Sequence, residues 1–145
     1  MSEQRTKVGV GVMILRGGKI LLGLRNEDAE KASSELHGEG TWTMPGGKMD
    51  FQEKLVDLCF RETKEETGIE IAKDKLKLIS IQENITADKH FITLGFLSEN
   101  FSGEPKVCEP DEIIEWRWFP IADIPENIFP PSKQVLDHYL NHKIF

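Results

Sequence analysis

Cysteine is scarce in this sequence, which has only Cys59 and Cys108 among its 145 residues. Two cysteines are too few for a disulfide framework, and their separation does not match the spacing of zinc ligands. The four histidines show no zinc-type pattern either. We therefore expect two reduced cysteines and no zinc site.

The sequence also lacks any long apolar run. No stretch approaches the roughly 20 apolar residues of a membrane-spanning helix. The first ten residues, MSEQRTKVGV, contain no apolar core of a secretory signal. These absences predict a cytoplasmic protein with no membrane partner.

Positive charge is in deficit, since 18 Lys and Arg residues face 25 Asp and Glu residues and the formal net charge is −7. Affinity for a nucleic-acid polymer comes mainly from Lys and Arg on phosphates, so the charge argues against DNA or RNA as a partner. An acidic protein can still bind a phosphorylated small molecule, because a divalent cation can bridge carboxylates and phosphate.

The length suits one domain, residues 1–145, and no repeat or interdomain linker divides it. Hydrophobic periodicity and turn residues predict an α+β fold. The predicted strands are 7–15, 19–25, 42–44, 76–82, 91–97 and 116–119. The predicted helices are 53–67, ended by Gly68, and a last one that begins at a Ser132 cap and ends near residue 140.

Three connections are informative. Gly17 and Gly18 predict a hairpin turn between the first two strands. Residues 26–40 (NEDAEKASSELHGEG) form a polar segment that is long for a compact domain, and such loops are usually functional. The PGG sequence at 45–47 predicts a tight turn, where glycines also let main-chain groups approach a metal or a phosphate.

The central helix carries Glu62, Glu65 and Glu66 at spacings i, i+3 and i+4. They project together, on the apolar side of the helix and away from the stripe that contains Arg61. Carboxylates crowded on a partly buried face repel one another, and the helix macrodipole disfavours negative charge near the C-terminus. A divalent cation would relieve both effects. Oxygen ligands without His or Cys favour Mg²⁺, with Mn²⁺ as a substitute.

These residues belong to a longer pattern, GKMDFQEKLVDLCFRETKEETGI, from Gly47 to Ile69. It resembles the Nudix box, G-x5-E-x7-R-E-U-x-E-E-x-G-U, in which U is aliphatic. The one departure is Thr63 at the first aliphatic position. Every fixed position agrees: Gly47, Glu53, Arg61, Glu62, Glu65, Glu66 and Gly68.

The resemblance to the Nudix hydrolases implies an α/β/α sandwich with a mixed central sheet, and Mg²⁺-dependent cleavage of a diphosphate bond. It implies Glu62, Glu65 and Glu66 as metal ligands, with the Gly47 carbonyl as a further one. The same match gives the candidate catalytic residues, which are Glu53, Arg61, Glu65 and Glu66.

Two of these residues have supporting roles by the same match. Arg61 would orient a neighbouring glutamate through a charge-assisted hydrogen bond. Glu53 lies nine residues before Glu62 and cannot share its helix face. Glu53 is therefore expected to support the site near the helix start and to take part in activating water.

Outside the box the chain is similar to the MutT-type nucleoside triphosphate branch, and especially to the thiopurine-nucleotide diphosphatase group. The run EPKVCEPDEIIEWRWFPIADIP at 104–125 carries this likeness. In MutT-type members an acid shortly before the Trp of the last strand can complete the metal site. Glu112 is the best positional match and Glu109 the second. Glu53, Glu66 and Glu112 are each candidates for the general base.

Contacts with the nucleotide are predicted from fewer signals. Trp42, Phe91, Trp116 and Trp118 would supply a stacking wall for a nucleobase, although aromatic residues in short strands more often belong to the core. Arg25 and Gly46 are the other candidate substrate contacts. The 26–40 loop lies where a lid over the substrate would be.

The leading hypothesis is hydrolysis of a nucleoside triphosphate to a monophosphate and pyrophosphate, with removal of oxidised or modified nucleotides as the role. A second is cleavage of ADP-ribose or another dinucleotide, but the proline-rich segment associated with ADP-ribose specialists is not present. A third is a non-catalytic nucleotide sensor, a class that usually loses one of the box acids. A homodimer is expected from the resemblance alone.

Overall fold

The structure is a computed structural model that describes residues 4–28, 30–31 and 38–145. The predicted loop at 26–40 therefore lies partly outside the described residues. None of the helices in these ranges is long and apolar enough to cross a membrane.

The strands are β1 (Lys7–Arg16), β2 (Lys19–Arg25), β3 (Trp42–Thr43), β4 (Gly46–Lys48), β5 (Glu70–Ile71), β6 (Lys77–Ile85), β7 (His90–Ser98), β8 (Phe101–Ser102) and β9 (Ile113–Pro120). The helices are α1 (Leu55–Thr67) and α2 (Pro130–Asn141), with 3₁₀ turns at Lys73–Lys75 and Ile121–Asp123.

Seven of the strands form one mixed sheet in the order β3-β2-β1-β7-β6, with β4 also paired to β1 and β9 to β2. β1 runs parallel to β7 along most of its length, and the other pairs are antiparallel. β5 and β8 form a separate two-stranded sheet. All six predicted strands are present, with ends shifted by up to three residues, because pairing with distant strands determines where each one stops.

Alternate residues of β1 face opposite sides of the sheet. Val12 and Ile14 pack with Leu58 of α1, whereas Met13 packs with Leu136 of α2. The two helices therefore cover opposite faces of one mixed sheet. The predicted α+β fold, an α/β/α sandwich, is confirmed.

The hairpin turn at Gly17 and Gly18 is also confirmed. Both residues have positive φ, 57° and 75°, which is the requirement of a type I′ turn that glycine meets without strain. Arg16 and Lys19 are paired on either side of the turn.

The prediction of a simple turn at residues 45–47 is wrong, because Gly46 and Gly47 belong to β4. They pair with Gly11 and Val10 of β1. A Cβ atom on Gly46 would lie 2.1 Å from the Val10 carbonyl oxygen. Glycine is needed here for the close approach of two main chains, and this approach brings residues 46–47 beside α1.

Helix α1 begins at Leu55, two residues later than predicted, so Glu53 lies in the preceding turn. In that turn the Asp50 N–H donates to Glu53 Oε1 at 3.1 Å, and the Glu53 N–H donates to the Asp50 carbonyl at 3.1 Å. The helix ends as predicted at Gly68, which has φ 80° and donates its N–H to the Lys64 carbonyl.

Helix α2 begins at Pro130, and the prediction of Ser132 as its cap is wrong. Proline is well suited to the first helical turn, where its missing N–H has no intrahelical partner to lose. The Ser132 hydroxyl instead accepts the buried Met44 N–H at 2.9 Å and lies 3.2 Å from Thr43 Oγ1. Ser132 therefore fastens α2 to the end of β3.

Replacing Ser132 with alanine should lower the free energy of unfolding by about 1–3 kcal/mol, because the buried Met44 N–H loses its acceptor. Urea denaturation followed by tryptophan fluorescence would measure the change. Ser102→Ala, at an exposed position of β8, is the matched control and should change the free energy by less than about 0.5 kcal/mol. Equal effects of the two variants would contradict the role given to the Ser132 hydroxyl.

Candidate active site

A cavity of about 680 Å³ opens beside β1, β4 and α1. Its lining falls into two groups. The first is acidic and rich in glycine: Gly9, Gly11, Gly46, Gly47, Lys48, Glu62, Glu65, Glu66, Glu109 and Glu112. The second is mainly apolar or hydroxyl-bearing: Val10, Arg25, Thr43, Met44, Phe91, Thr93, Ile113, Phe129, Pro131 and Ser132.

Glu66 is held against the main chain of β4. Its carboxylate accepts the Gly46 N–H at 3.1 Å. Burial raises the pKa of Glu66 well above its usual value, and the neighbouring Glu62 raises it further, while the Gly46 N–H acts in the opposite direction. A positive charge nearby would therefore stabilise the ionised form of Glu66.

Glu62 lies next to Gly47, and its side chain is 16% exposed. A Cβ atom on Gly47 would lie 2.4 Å from Glu62 Cδ, so glycine leaves the space that the carboxylate fills. Burial raises the pKa of Glu62 to about 7, with Arg61 opposing the shift and Glu65 adding to it. Two adjacent buried carboxyls, Glu62 and Glu66, thus resist ionisation together.

The Arg61 guanidinium is the cationic centre of this group of acids. Its Nε and Nη2 donate to the two carboxylate oxygens of Glu53 at 2.7 and 3.0 Å. Its Nη1 donates to Glu62 at 3.0 Å and to Glu65 at 3.4 Å. The pKa of Glu53 is lowered by these hydrogen bonds, and that of Arg61 is raised. Although helical spacing places Arg61 on a different stripe of α1 from the acids, its long side chain reaches Glu62 and Glu65, which suits its expected role in orienting a neighbouring glutamate.

The downstream acids Glu109 and Glu112 both line the cavity. Glu109 is half-buried and Glu112 is exposed. Burial raises the pKa of Glu109, with Glu112 and Glu65 as further causes. Glu112 instead is the main acidic influence on Arg25. Besides burial, Glu109 adds to the raised pKa of both Glu62 and Glu66, whereas Glu112 adds only to that of Glu66; on this ground we favour Glu109 as the acid beside the helix glutamates.

These residues suit a hard divalent cation. In the described ranges, no three acidic, His or Cys side chains already surround a common point at ligand distances, because Glu62 contacts Arg61 and Glu66 contacts the Gly46 N–H. The available donors are nevertheless carboxylate and carbonyl oxygens, which Mg²⁺ prefers. A cation would also stabilise the ionised form of both glutamates, whose pKa values are raised by burial and, to a smaller extent, by repulsion from neighbouring acids.

Comparison with known families agrees with this geometry. The family model described as NUDIX domain matches residues 5–139. This chain belongs to the Nudix family. The crystal structure of a MutT NUDIX hydrolase from Burkholderia pseudomallei is 32% identical, with a TM-score of 0.81, and the match covers 92% of this chain and 98% of that one.

Several curated relatives are named as hydrolases. Together with the family match, these relatives identify the chain as a Nudix hydrolase. An RNA pyrophosphohydrolase from Novosphingobium aromaticivorans is 26% identical over 87% of this chain and 84% of the relative. An oxidized purine nucleoside triphosphate hydrolase from Danio rerio is 30% identical over 79% of this chain and 66% of the relative. The chain spans less than half the length of the Pseudomonas NAD-capped RNA hydrolases that it also matches.

Three of the residues predicted to contact the substrate of this Nudix hydrolase, Arg25, Gly46 and Phe91, line the cavity. Arg25 is buried, and its guanidinium carbon lies 4.9 Å from the centre of the Phe129 ring. Phe129 is not among the predicted substrate contacts, because it lies between β9 and α2, outside the predicted strands and helices and outside the Nudix box. Its clearest signal was an aromatic residue directly before two prolines.

Trp42 and Trp116 are not among the residues that line the cavity, so the cavity gives no support to the predicted base stacking by these two rings. Trp42 is 8% exposed and packs edge-on against Phe119, with ring centres 4.8 Å apart. The indole N–H of Trp116 donates to the main-chain carbonyl of Glu66 at 3.2 Å. Both side chains belong to the core clusters of the fold.

Glu62→Gln should raise the free energy of unfolding of the metal-free protein, relative to wild type, more at pH 8 than at pH 4.5. The pKa of Glu62 is about 7 in the folded state against 4.5 ordinarily, so the folded state retains a proton that the unfolded state releases. Wild-type stability therefore decreases as pH rises through this interval. The difference between E62Q and wild type should grow by roughly 1–3 kcal/mol and then level off.

Urea denaturation in the presence of EDTA would measure this difference at each pH. Glu70→Gln, which removes an exposed carboxylate on β5, controls for the loss of one charge. A difference between E62Q and wild type that is constant or shrinks as pH rises would contradict the burial argument.

Proposed function

We propose that this Nudix hydrolase cleaves a diphosphate bond in a nucleoside triphosphate and releases a nucleoside monophosphate and pyrophosphate. One observation carries the proposal: a single cavity is lined partly by five carboxylates and partly by apolar and hydroxyl side chains. A polyphosphate with its cation suits the first part, and a nucleoside suits the second. The volume of about 680 Å³ is within the usual range for small-molecule sites.

Mg²⁺ is the proposed cofactor, with Mn²⁺ as a substitute. Glu62, Glu65 and Glu66 would hold it, with the Gly47 carbonyl and Glu109 or Glu112 as further ligands. When bound, the cation polarises the phosphate and lowers the pKa of water. The carboxylate-rich lining, which among the described residues contains no thiolate and no imidazole donor, supports this choice.

We assign Arg61 and Glu53 a positioning role. Arg61 contacts Glu53 with two hydrogen bonds and also reaches Glu62, so it fixes the direction of a proposed ligand. Because these bonds lower the pKa of Glu53 and burial raises that of Glu66, Glu53 is a weaker base than Glu66. Glu66 and Glu112 remain the candidates for accepting a proton from the attacking water.

The nucleoside is proposed to contact Phe91, Phe129 and Arg25, with Thr93 and Ser132 as hydroxyl partners. Aromatic rings bind a nucleobase through stacking, and hydroxyls can read its edge. The name of the Danio rerio relative, an oxidized purine nucleoside triphosphate hydrolase, supports removal of an oxidised or modified nucleotide as the role.

The triphosphorylated 5′ end of an RNA is the second candidate substrate. Similarity to the RNA pyrophosphohydrolase of Novosphingobium aromaticivorans, 84% of which the match covers, favours it. The net charge of −7 opposes it, because a polymer would bring many phosphates that need basic partners. ADP-ribose cleavage and a sensor without turnover are the remaining alternatives.

The purified protein with Mg²⁺ should convert a canonical or 8-oxo deoxynucleoside triphosphate to monophosphate and pyrophosphate. Glu65→Gln should lower kcat at least about 100-fold, because it removes one anionic ligand, whereas Glu70→Gln on β5 should have little effect. Product separation would distinguish the alternatives. Pyrophosphate from RNA alone, AMP from ADP-ribose or NADH, or binding without turnover would each contradict the proposal in favour of the corresponding alternative.

Arg61→Lys should lower kcat about 10- to 100-fold while KM for the nucleotide changes little. Lysine keeps the charge but cannot make the planar pair of hydrogen bonds to Glu53. Arg16→Lys is the matched control, because two guanidinium nitrogens of Arg16 donate to the two carboxylate oxygens of Glu104 at 2.8 and 3.2 Å, and neither residue lines the cavity. Steady-state kinetics showing the same kcat for both variants would overturn the positioning role of Arg61.

A further inference from the structure

The last turn of α1 is capped from outside the helix. Its final carbonyl groups have no partner within the helix. The Trp116 indole N–H donates to the Glu66 carbonyl at 3.2 Å, and the Lys106 main-chain N–H donates to the Thr67 carbonyl at 2.9 Å. Both donors belong to the segment from residue 104 to β9, which also carries Glu109. One segment thus supplies a helix cap and an acid of the cavity.

Glu66 accepts hydrogen bonds at both its side-chain carboxylate and its main-chain carbonyl. Its carboxylate accepts the Gly46 N–H of β4 at 3.1 Å, and its main-chain carbonyl accepts the Trp116 N–H of β9. The two donors come from different strands of the main sheet. The position of Glu66 is therefore determined by the sheet as well as by the helix.

The position of the Trp116 ring depends on a glycine in the neighbouring strand. Gly23 of β2 is directly opposite Trp116 in the register of β2 and β9. A Cβ atom on Gly23 would lie 2.7 Å from Trp116 Cζ3. The absence of a side chain lets the ring lie on the strand and extend its N–H toward α1.

Helix α1 needs such an anchor at this end. Glu62, Glu65 and Glu66 all lie in its C-terminal half, where the macrodipole disfavours negative charge and the last turn tends to fray. A hydrogen-bond donor on the Glu66 carbonyl offsets part of that effect and limits fraying. It does so at a residue whose side chain faces the cavity.

We propose that Trp116 is a positioning residue for the divalent-cation site: its indole N–H, bound to the Glu66 carbonyl, holds Glu66 in the last turn of α1 where its side chain can join Glu62 and Glu65 at one ion. The inference rests on the proposed metal-dependent function. Trp116 touches neither substrate nor ion in this account, and acts through Glu66.

Trp116→Phe removes the N–H and keeps an aromatic ring over Gly23. In the absence of substrate, Mn²⁺ binding followed by electron paramagnetic resonance should weaken about tenfold, as expected when a group supporting a ligand is lost. In turnover, kcat should fall about tenfold and the Mg²⁺ concentration for half-maximal rate should rise about tenfold. KM for the nucleotide should change little.

Trp118→Phe is the matched control. Trp118 lies two residues further along β9 and is stacked near Phe101, with ring centres 6.1 Å apart, and under the Arg16 guanidinium. In the described part of the chain it makes no hydrogen bond to α1. This variant should keep wild-type Mn²⁺ affinity, although it makes the same change in ring size.

A double mutant separates action through Glu66 from a general loss of structure. Adding Trp116→Phe to Glu66→Gln should weaken Mn²⁺ binding no further, because the ligand that Trp116 positions is already altered. A full additional tenfold loss would overturn the proposal. So would wild-type Mn²⁺ affinity in Trp116→Phe alone.

Two outcomes distinguish this inference from the proposed function. If the wild type binds no Mn²⁺, the proposed metal-dependent function and the role of Trp116 are both contradicted. If the wild type binds Mn²⁺ and Trp116→Phe binds it equally well, the positioning role of Trp116 is contradicted and the proposed function is not.

If Trp116→Phe does not fold, NMR of the wild type tests the role of Trp116 instead. The Trp116 indole ¹H–¹⁵N resonance, assigned with Trp42→Phe and Trp118→Phe, should shift on adding Mg²⁺, and an unchanged resonance would overturn the proposal.

Discussion

Three carboxylates crowd the C-terminal half of α1, and the groups around this helix offset their mutual repulsion. Arg61 offsets part of that charge through its contacts with Glu53, Glu62 and Glu65. The Glu66 carboxylate accepts the Gly46 main-chain N–H, and burial raises its pKa. Five carboxylates line the cavity beside the basic residues Arg25 and Lys48, and a divalent metal would offset the remaining negative charge.

The fold brings the required groups to this helix from distant parts of the chain. Close approach of β4 to β1, possible because residue 46 is glycine, brings the Gly46 N–H and the space beside Gly47 to the glutamates. The segment before β9 brings Glu109 to the same cavity. Strand pairing therefore contributes as much to the site as the helix that carries the ligands.

Local signals in the sequence predicted much of the fold. Gly17 and Gly18 marked the hairpin, Gly68 marked the end of α1, and alternating apolar residues marked six strands, because each of these depends on nearby residues. Helical spacing also brought Glu62 and Glu66 to one face. The box as a whole identified the family that the NUDIX domain match shows.

Long-range contacts were the part that the sequence did not reveal. β4 forms because β1 lies beside it, and Ser132 is used by the Met44 N–H rather than by its own helix. Trp116 carried an aromatic signal that suited a stacking wall equally well, and its bond to Glu66 spans 50 residues. Whether Glu109 or Glu112 completes the site depends on how their segment passes α1, which spacing before a tryptophan does not encode.

The most direct test of the central claim, that α1 carries a divalent-cation site, is an anomalous difference map from crystals of the protein soaked in Mn²⁺. We expect a peak with carboxylate oxygens of at least two of Glu62, Glu65 and Glu66 at ligand distance. A peak confined to Glu112 and its surroundings, or no peak beside α1 at saturating Mn²⁺, would contradict the account.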